Sequence, residues 1–432
     1  MAIQPHALSY YAATAHPAPD RPALAGNVDC DVCVIGGGIA GCSAALHLAE
    51  RGYRVALLEQ NRIGWGASGR SGGQAIYGLA APQSKVERLV GTDAARILWD
   101  VTVEALALIR ELIAKHRIDC DWTDGQMLTA IKQRHDTDLR AEFEELRDKY
   151  QYRSVRYMAR DEVRSVLATD RYISALYDSQ SGHLHPLNYT LGLAAAAEGA
   201  GVQIFEGTRA IDFISTANSA TGGTARTRTS NGEVRSRYVV LCGNVYLGDT
   251  ARALASKIMA VATYIVATEP LGAQRARPLI ANNAAVSDMN WVLDYFRLSA
   301  DHRLLFGGRV NYSGLSSFDA PNATRARMLG VFPQLSDVRI DRAWGGDVDI
   351  TLNRAPHFGR LAPNVYFLQG FSGHGIALTG IAGKLVAEAI AGTAERFDVF
   401  ARIPHTNFPG GAALRRPALV LAMLYYRIKD LL

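Results

Sequence analysis

Val32-Cys33-Val34-Ile35 followed by Gly36-Gly37-Gly38-Ile39-Ala40-Gly41 is the stretch that decides the fold. The first four residues are apolar and rich in β-branched types, which reads as a buried strand. The next six satisfy G-x-G-x-x-G through Gly36, Gly38 and Gly41 and open a helix expected from about Ile39 to Arg51, with Gly52 as its stop. A second strand is expected from Tyr53 to Glu59, which completes a βαβ unit. In that setting Gly36 permits a tight turn, Gly38 lets backbone approach a pyrophosphate, and Gly41 lets helix and strand pack closely. Phosphate charge then meets the helix N-terminus at Ile39, Ala40 and Gly41. Glu59 is suited to accept hydrogen bonds from ribose hydroxyls, which disfavours a 2′-phosphate.

The fingerprint alone does not separate FAD from NAD; two later segments favour FAD. Gly64-Trp65-Gly66-Ala67-Ser68-Gly69-Arg70-Ser71-Gly72-Gly73-Gln74 can offer many backbone N–H groups and hydroxyls to a long cofactor. Near the C-terminus, an expected strand Val365 to Leu368 runs into Gly370-Phe371-Ser372-Gly373-His374-Gly375, which with Ile376 opens a helix reaching about Ala391. The positive end of that helix suits a reduced, anionic isoalloxazine.

With 432 residues, 48% of them hydrophobic and 20% charged, the chain can bury two cores. The formal charge of +5 is scattered, with no basic stripe, so nucleic acid is not an expected partner. Residues 1–20 lack a basic start ahead of an apolar run, and no apolar run reaches about 18 residues, so neither a signal nor a membrane span is expected. Five cysteines suggest no disulfide framework and a cytoplasmic setting. Cys30 and Cys33 form C-x-x-C, but on one strand they would point to opposite faces, and no metal site is expected.

Helical periodicity covers Thr92 to His116, and a more charged helix is expected from about Asp136 to Tyr150. Ile258 to Thr268, Trp291 to Leu298 and Arg303 to Val310 read as strands of another domain. Ser215 to Arg237 reads as a solvated hairpin or loop.

The three glycine-rich segments, in this order, resemble the D-amino-acid-oxidase-like flavoproteins, a group that includes sarcosine, glycine and γ-glutamylpolyamine oxidases. Within it, Ser9-Tyr10-Tyr11-Ala12-Ala13, Arg21-Pro22-Ala23-Leu24, Gly66 to Gln74, Ser181-Gly182-His183-Leu184-His185-Pro186-Leu187-Asn188, Ala267-Thr268-Glu269-Pro270-Leu271 and the stretches Ala394 to Asp398 and Phe408 to Gly411 are similar to γ-glutamylputrescine oxidases. The resemblance implies an α/β fold with a Rossmann-like FAD-binding domain built from residues 29–85, 180–250 and 340–395. It also implies a second, α+β substrate domain on an antiparallel sheet from 86–179 and 251–339, with 396–432 as a C-terminal tail carrying a helix. Val239 to Gly243 would return under the adenosine half, and the chain near Ala210 would contact the adenine. Sarcosine-oxidase-type relatives attach FAD through a cysteine in the segment that here runs Trp344 to Thr351 and has none, which implies noncovalent FAD.

A flavin accepts hydride from a carbon activated by a neutral amine, and the imine formed hydrolyses to aldehyde and ammonia. No NAD(P)H site is evident, so oxygen or a quinone is the expected electron acceptor. His374 is the candidate at the flavin edge. Tyr264, Trp291 and Tyr295 are candidates for an aromatic wall around an alkylamine, and Arg297 and Arg309 for pairing with a substrate carboxylate. Two other readings remain open: a D-amino-acid or N-methyl-amino-acid dehydrogenase touching a membrane through Ala412 to Leu432, and a non-catalytic flavin-binding protein.

Overall fold

The computed structural model describes residues 3–216, 223–310, 319–409 and 430. Its centre is a six-stranded sheet in the order His357–Ala362, Val365–Gln369, Tyr238–Leu241, Val32–Ile35, Val55–Leu58, Gln203–Phe205. All neighbours are parallel except the edge pair His357–Ala362 with Val365–Gln369. The expected βαβ unit is present, with its helix over Ile39–Ala49 and its second strand shortened to Val55–Leu58.

Pleating sends Val32 and Val34 into one core and Cys33 and Ile35 into another. The first core is covered by Ile39–Ala49, Thr92–His116, Pro186–Gly199 and Gly375–Ile390. Ile39–Ala49 and Gly375–Ile390 meet so closely that a Cβ on Gly383 would lie 2.5 Å from the Ala44 nitrogen, and Ser43 Oγ donates to the Gly380 carbonyl at 2.6 Å. The second core lies under a four-stranded sheet of Val28–Asp29, Glu233–Ser236, Thr224–Arg228 and Asp212–Thr216. The Ser215 to Arg237 stretch is therefore largely sheet where residues are described, its exposed alternate positions accounting for its polar composition.

Two expectations need correction. Cys30 precedes the Val32–Ile35 strand and the chain bends at Asp31, so Cys30 and Cys33 enter the same core instead of opposite faces; both are free and buried. The Thr92–His116 helix, assigned by sequence to the second domain, buries Leu98, Val101, Ala105 and Leu112 in the core of the six-stranded sheet.

The larger sheet has nine strands, ordered Ile340–Ile350, Met259–Thr268, Leu304–Val310, Tyr295–Leu298, Ala285–Asp288, Thr123–Ala130, Ser174–His183 and Gln74–Ala75, with Val155–Ala159 also paired to Ser174–His183. Its pairs are antiparallel except Ala285–Asp288 with Thr123–Ala130. The expected boundary between 179 and 180 falls inside the Ser174–His183 strand. Gln74 pairs with His183, so the glycine-rich segment ends as an edge strand of this sheet.

The N-terminal Tyr10–Ala13 turn joins the two halves. Tyr11 is fully buried against Trp344 and His185, with ring centroids at 5.3 and 5.0 Å, and Tyr10 donates to Asp301 at 2.9 Å. His185 caps the Pro186–Gly199 helix: its Nδ1 accepts from the Asn188 N–H at 3.1 Å. Thr14 Oγ1 donates to the Tyr10 carbonyl, so the 3.1 Å contact between Thr14 Oγ1 and His185 Nε2 has the imidazole as donor. Burial first, then the Arg297 charge, push the His185 pKa down to about 3. Because the folded value lies below the ordinary one of about 6.5, the stability His185 contributes is present above pH ~6.5 and is lost as pH falls toward the folded value. His185→Ala is expected to remove a cap worth about 1 kcal/mol at pH 7. Thermal melts should show the gap between wild type and variant narrowing at pH 5; a gap that widens on acidification contradicts the neutral cap.

Among the described residues no single helix is long and apolar enough to cross a membrane. The tail Ala412 to Leu432, expected as a surface-lying candidate, lies outside the described residues apart from Asp430. The Asp430 carboxylate accepts from the Trp291 and Val292 N–H groups at 2.9 and 3.0 Å.

Candidate active site

Each glycine of the fingerprint is required by an identifiable neighbour. Gly36 sits at φ +112°, and a Cβ there would lie 2.8 Å from the Cys242 carbonyl carbon, where the Val32–Ile35 and Tyr238–Leu241 strands converge. A Cβ on Gly41 would fall 1.9 Å from the Gly36 oxygen. Gly38 has ordinary extended backbone, but its Cβ would lie 2.8 Å from Ser68 Oγ. Ser68 Oγ in turn accepts from the Ile39 N–H at 3.0 Å, so the glycine-rich 64–74 segment lies across the helix N-terminus, beside Ile39 and Ala40. Gly38 itself offers no side-chain cap, and no acidic residue occupies the first turn, which leaves that end suited to an anion.

Glu59 accepts from the Gly37 and Asn61 N–H groups, both at 2.7 Å, and burial raises its pKa. The two bonds fix the carboxylate at the strand end and leave lone pairs for hydroxyl donors. Glu59→Ala is expected to weaken FAD binding by about 1.5–3 kcal/mol, the range for a hydrogen bond to a charged group. Titration of apoprotein with FAD checks this, and an unaltered Kd contradicts the ribose role.

The rest of the glycine-rich segment is held between the two sheets. Arg70 Nε donates to the Trp65 carbonyl at 2.7 Å and its guanidinium lies 4.3 Å from the Trp65 ring centroid. Trp344 Nε1 donates back to the Arg70 carbonyl at 2.9 Å. Ser71 Oγ is buried without a hydrogen-bond partner. A Cβ on Gly72 would strike the Tyr295 ring at 2.7 Å, and Gly73, at φ +74°, leaves 2.3 Å to the Leu184 oxygen. Gln74 donates to the Val286 carbonyl. Across the site Gly243 abuts Leu247, and the Asn244 Oδ1 beside it is a second buried polar atom without a partner. Ala210 is buried, its carbonyl accepting from Thr250 Oγ1 at 3.0 Å.

The Gly370–Gly375 turn is shaped by an aspartate that no motif announces. Asp349 is buried; its Oδ2 accepts from the Phe371 N–H at 2.7 Å and its carbonyl accepts from the Ser372 N–H at 3.0 Å. This holds Ser372 at φ +54° and Gly373 at φ +94°, and a Cβ on Gly373 would meet nothing within 4 Å. Burial pushes the Asp349 pKa up to about 6. His374 precedes the Gly375–Ile390 helix, whose buried first turn includes Ile376. Burial, then the charge of Arg354, lower the His374 pKa to about 4, so the imidazole is neutral at pH 7. Asp349, Asn244 and Arg354 are the site residues that sequence reasoning missed.

The residues expected to form an aromatic wall do not converge. Ile265 pairs with both Trp344 and Gly307, and Gly307 pairs with Tyr295, so Tyr295 shares its face with Trp344. Tyr264, one residue from Ile265, takes the opposite face of the pleat. Trp291 is 51% exposed in the turn before the Tyr295–Leu298 strand. Tyr295 alone lies against the glycine-rich segment, between Gly72 and Gly307. Arg297 is buried and spends its donors on the Gly72, Leu184 and Leu298 carbonyls and the Tyr11 hydroxyl, which leaves no fork for a substrate carboxylate. The Arg309 side chain lies outside what is described.

Two unpartnered buried oxygens, a helix N-terminus with no acidic residue in its first turn and an open left-handed turn fit an extended, anionic, hydroxyl-rich ligand such as FAD. The sequence model of the FAD dependent oxidoreductase family matches residues 31–389. The gamma-glutamylputrescine oxidoreductase of Escherichia coli (strain K12) is 41% identical over 98% of this chain and 98% of its own. A probable oxidoreductase OrdL of Haemophilus influenzae is 41% identical over 99% and 98%. Among solved structures, a glycine oxidase from Bacillus cereus superposes with TM-score 0.70 at 20% identity, covering 87% of this chain and all but a little (99%) of that one. L-amino acid deaminase from Proteus vulgaris gives 0.71 at 17%, covering 89% and 100%. At such identities the structural likenesses show the fold.

Proposed function

Because the chain belongs to the FAD dependent oxidoreductase family, we propose that it oxidises the amine-bearing carbon of γ-glutamylputrescine or a related polyamine conjugate. The single observation that carries the substrate class is the 41% identity, over nearly the whole of both chains, to the Escherichia coli gamma-glutamylputrescine oxidoreductase. Bound FAD supplies a two-electron acceptor for hydride leaving that carbon.

The chain's own residues have the remaining tasks. Gly36, Gly38, Gly41, Glu59 and the 68–74 segment hold the dinucleotide, with Ala210, Gly243 and Gly373 to Ile376 completing the cradle. Only the free-base amine can donate hydride, so the substrate ammonium must lose a proton on entry. We assign to His374, neutral at pH 7, a hydrogen bond to the amine; its lowered pKa of about 4 makes it too weak a base to take the ammonium proton, which leaves to solvent. Tyr295, packed between Gly72 and Gly307, supplies an apolar surface that excludes water. The imine product then takes up one water and releases ammonia and aldehyde. Segment 344–351 has no cysteine and all five thiols are buried, which supports noncovalent FAD and a reducing, cytoplasmic setting.

The test is product analysis under air with γ-glutamylputrescine: aldehyde and ammonia in equal amounts are expected. Matching hydrogen peroxide assigns oxygen as acceptor, whereas turnover only with an added quinone assigns a quinone. Preference for D-alanine or sarcosine favours the amino-acid dehydrogenase reading, and no product from any amine overturns amine oxidation.

A further inference from the structure

Arg297 is 3% exposed, in the Tyr295–Leu298 strand immediately behind the glycine-rich segment. Its Nε donates to the Gly72 carbonyl at 2.8 Å, and its two terminal nitrogens donate to Leu184 O at 2.8 Å, Tyr11 Oη at 3.1 Å and Leu298 O at 3.2 Å. Every one of these acceptors is neutral. Among the described residues no carboxylate comes within ion-pair distance of Arg297; the exposed Asp121 feels its charge only from farther away. His183 and His185, which feel its charge, stay neutral, since burial and then Arg297 itself lower both to about 3.

A guanidinium this deep is costly to desolvate, and carbonyl dipoles offset only part of that. The hydrogen bonds alone could be made in part by a neutral amide, so the charge itself calls for an anionic counterpart on the other side of Gly72 and Gly73. A substrate carboxylate is not that counterpart, because four of the five N–H donors of Arg297 are spent on the protein and no bidentate fork is left. Two electrons and one proton, taken up by a flavin, leave one negative charge; oxidised flavin carries none.

We propose that Arg297 is a positioning residue: through Gly72 it fixes the wall of the flavin site, and its unpaired buried charge favours the anionic reduced cofactor over the oxidised one. This rests on the FAD reading, and it separates two roles that the side chain performs together. The hydrogen bonds set geometry, which a neutral amide can partly reproduce. The charge sets the balance between redox states, which only another cation can reproduce.

The experiment compares Arg297→Lys and Arg297→Gln with wild type by FAD content, thermal melt and reduction potential of the bound flavin. Arg297→Gln is expected to keep FAD but to lose roughly tenfold in its preference for the reduced form, the size one unit charge exerts through a partly shielded interior. For a two-electron couple that is a downward shift of about 30 mV. Arg297→Lys is expected to restore most of the potential even if its melt is lower, a separation that a purely structural residue would not give. Equal potentials in wild type and Arg297→Gln, with FAD bound in both, overturn the proposal while leaving the FAD reading intact; protein that binds no FAD at any concentration overturns the FAD reading first. Should neither variant fold, wild type alone decides: a bound potential at or below that of free FAD measured alongside contradicts a site that favours the reduced anion.

Discussion

Gly38→Val protein is expected to fold and to purify with roughly a tenth or less of the wild-type FAD. The residue sits at φ −85° and ψ −175°, backbone that valine adopts freely, so the substitution adds no strain to the turn. What it adds is bulk: even the first carbon would lie 2.8 Å from Ser68 Oγ, and two further methyls would cover the N-terminus of the Ile39–Ala49 helix where phosphate must approach. Displacing the phosphate by a few tenths of an ångström forfeits hydrogen bonds to backbone N–H groups, and each 1.4 kcal/mol lost is tenfold in affinity. Gly41→Val is the contrasting case, since a Cβ 1.9 Å from the Gly36 oxygen breaks the packing of helix on strand itself. Flavin absorbance per unit protein, with a melt to show folding, checks both; a yellow, stable Gly38→Val protein contradicts the assignment of this helix end.

Asp349→Ala is expected to lower stability by about 2–3 kcal/mol, the range for a charge-assisted hydrogen bond lost at a buried site, and to weaken FAD binding with it. The carboxylate acts on backbone, accepting from Phe371 while the next residue, Ser372, is held in the left-handed region. Without it the turn before the Gly375–Ile390 helix relaxes, and His374 moves with the turn. Burial sets the sign of the pH dependence. The folded pKa of about 6 lies above the ordinary aspartate value, so the stability linked to protonation is fully present below about pH 4 and is lost as pH rises through 6. Asp349→Asn keeps an acceptor for Phe371 and cannot ionise. Its melting temperature should therefore gain on wild type between pH 5 and pH 8, and parallel pH profiles for the two proteins rule out a titrating carboxylate here.

How much of this could be read in the sequence follows from the range over which each interaction acts. The fingerprint and the Gly370–Gly375 turn are local: spacing within a dozen residues forces strand, turn and helix, and the structure keeps them with ends shifted by a residue or two. Tyr264 and Tyr295 look alike in sequence, because which face a strand residue takes depends on register with a partner far along the chain and on the bulge between Tyr264 and Ile265. Cys30 escaped because a bend at Asp31 breaks the alternation that a continuous strand would impose. Arg297 reads as a ligand for a carboxylate by residue type, yet its neighbours from residues 11, 72 and 184 turn it inward. Asp349 and Asn244 carry no motif at all; only folding brings them together beside the Gly370–Gly375 turn. The signature His183-Leu184-His185-Pro186 is now explained in physical terms, with His183 donating to the Asn283 carbonyl at 2.8 Å and His185 capping a helix.

Anaerobic mixing of the oxidised protein with γ-glutamylputrescine, putrescine, spermidine, sarcosine and D-alanine, followed by flavin absorbance, tests the central claim most directly. γ-Glutamylputrescine is expected to bleach the flavin fastest, and the rate should climb as pH rises toward about 10.4, the ordinary pKa of an alkylammonium, because only the free base donates hydride. Faster bleaching by sarcosine or D-alanine would contradict the substrate assignment, and a flavin that no amine bleaches would contradict amine oxidation itself.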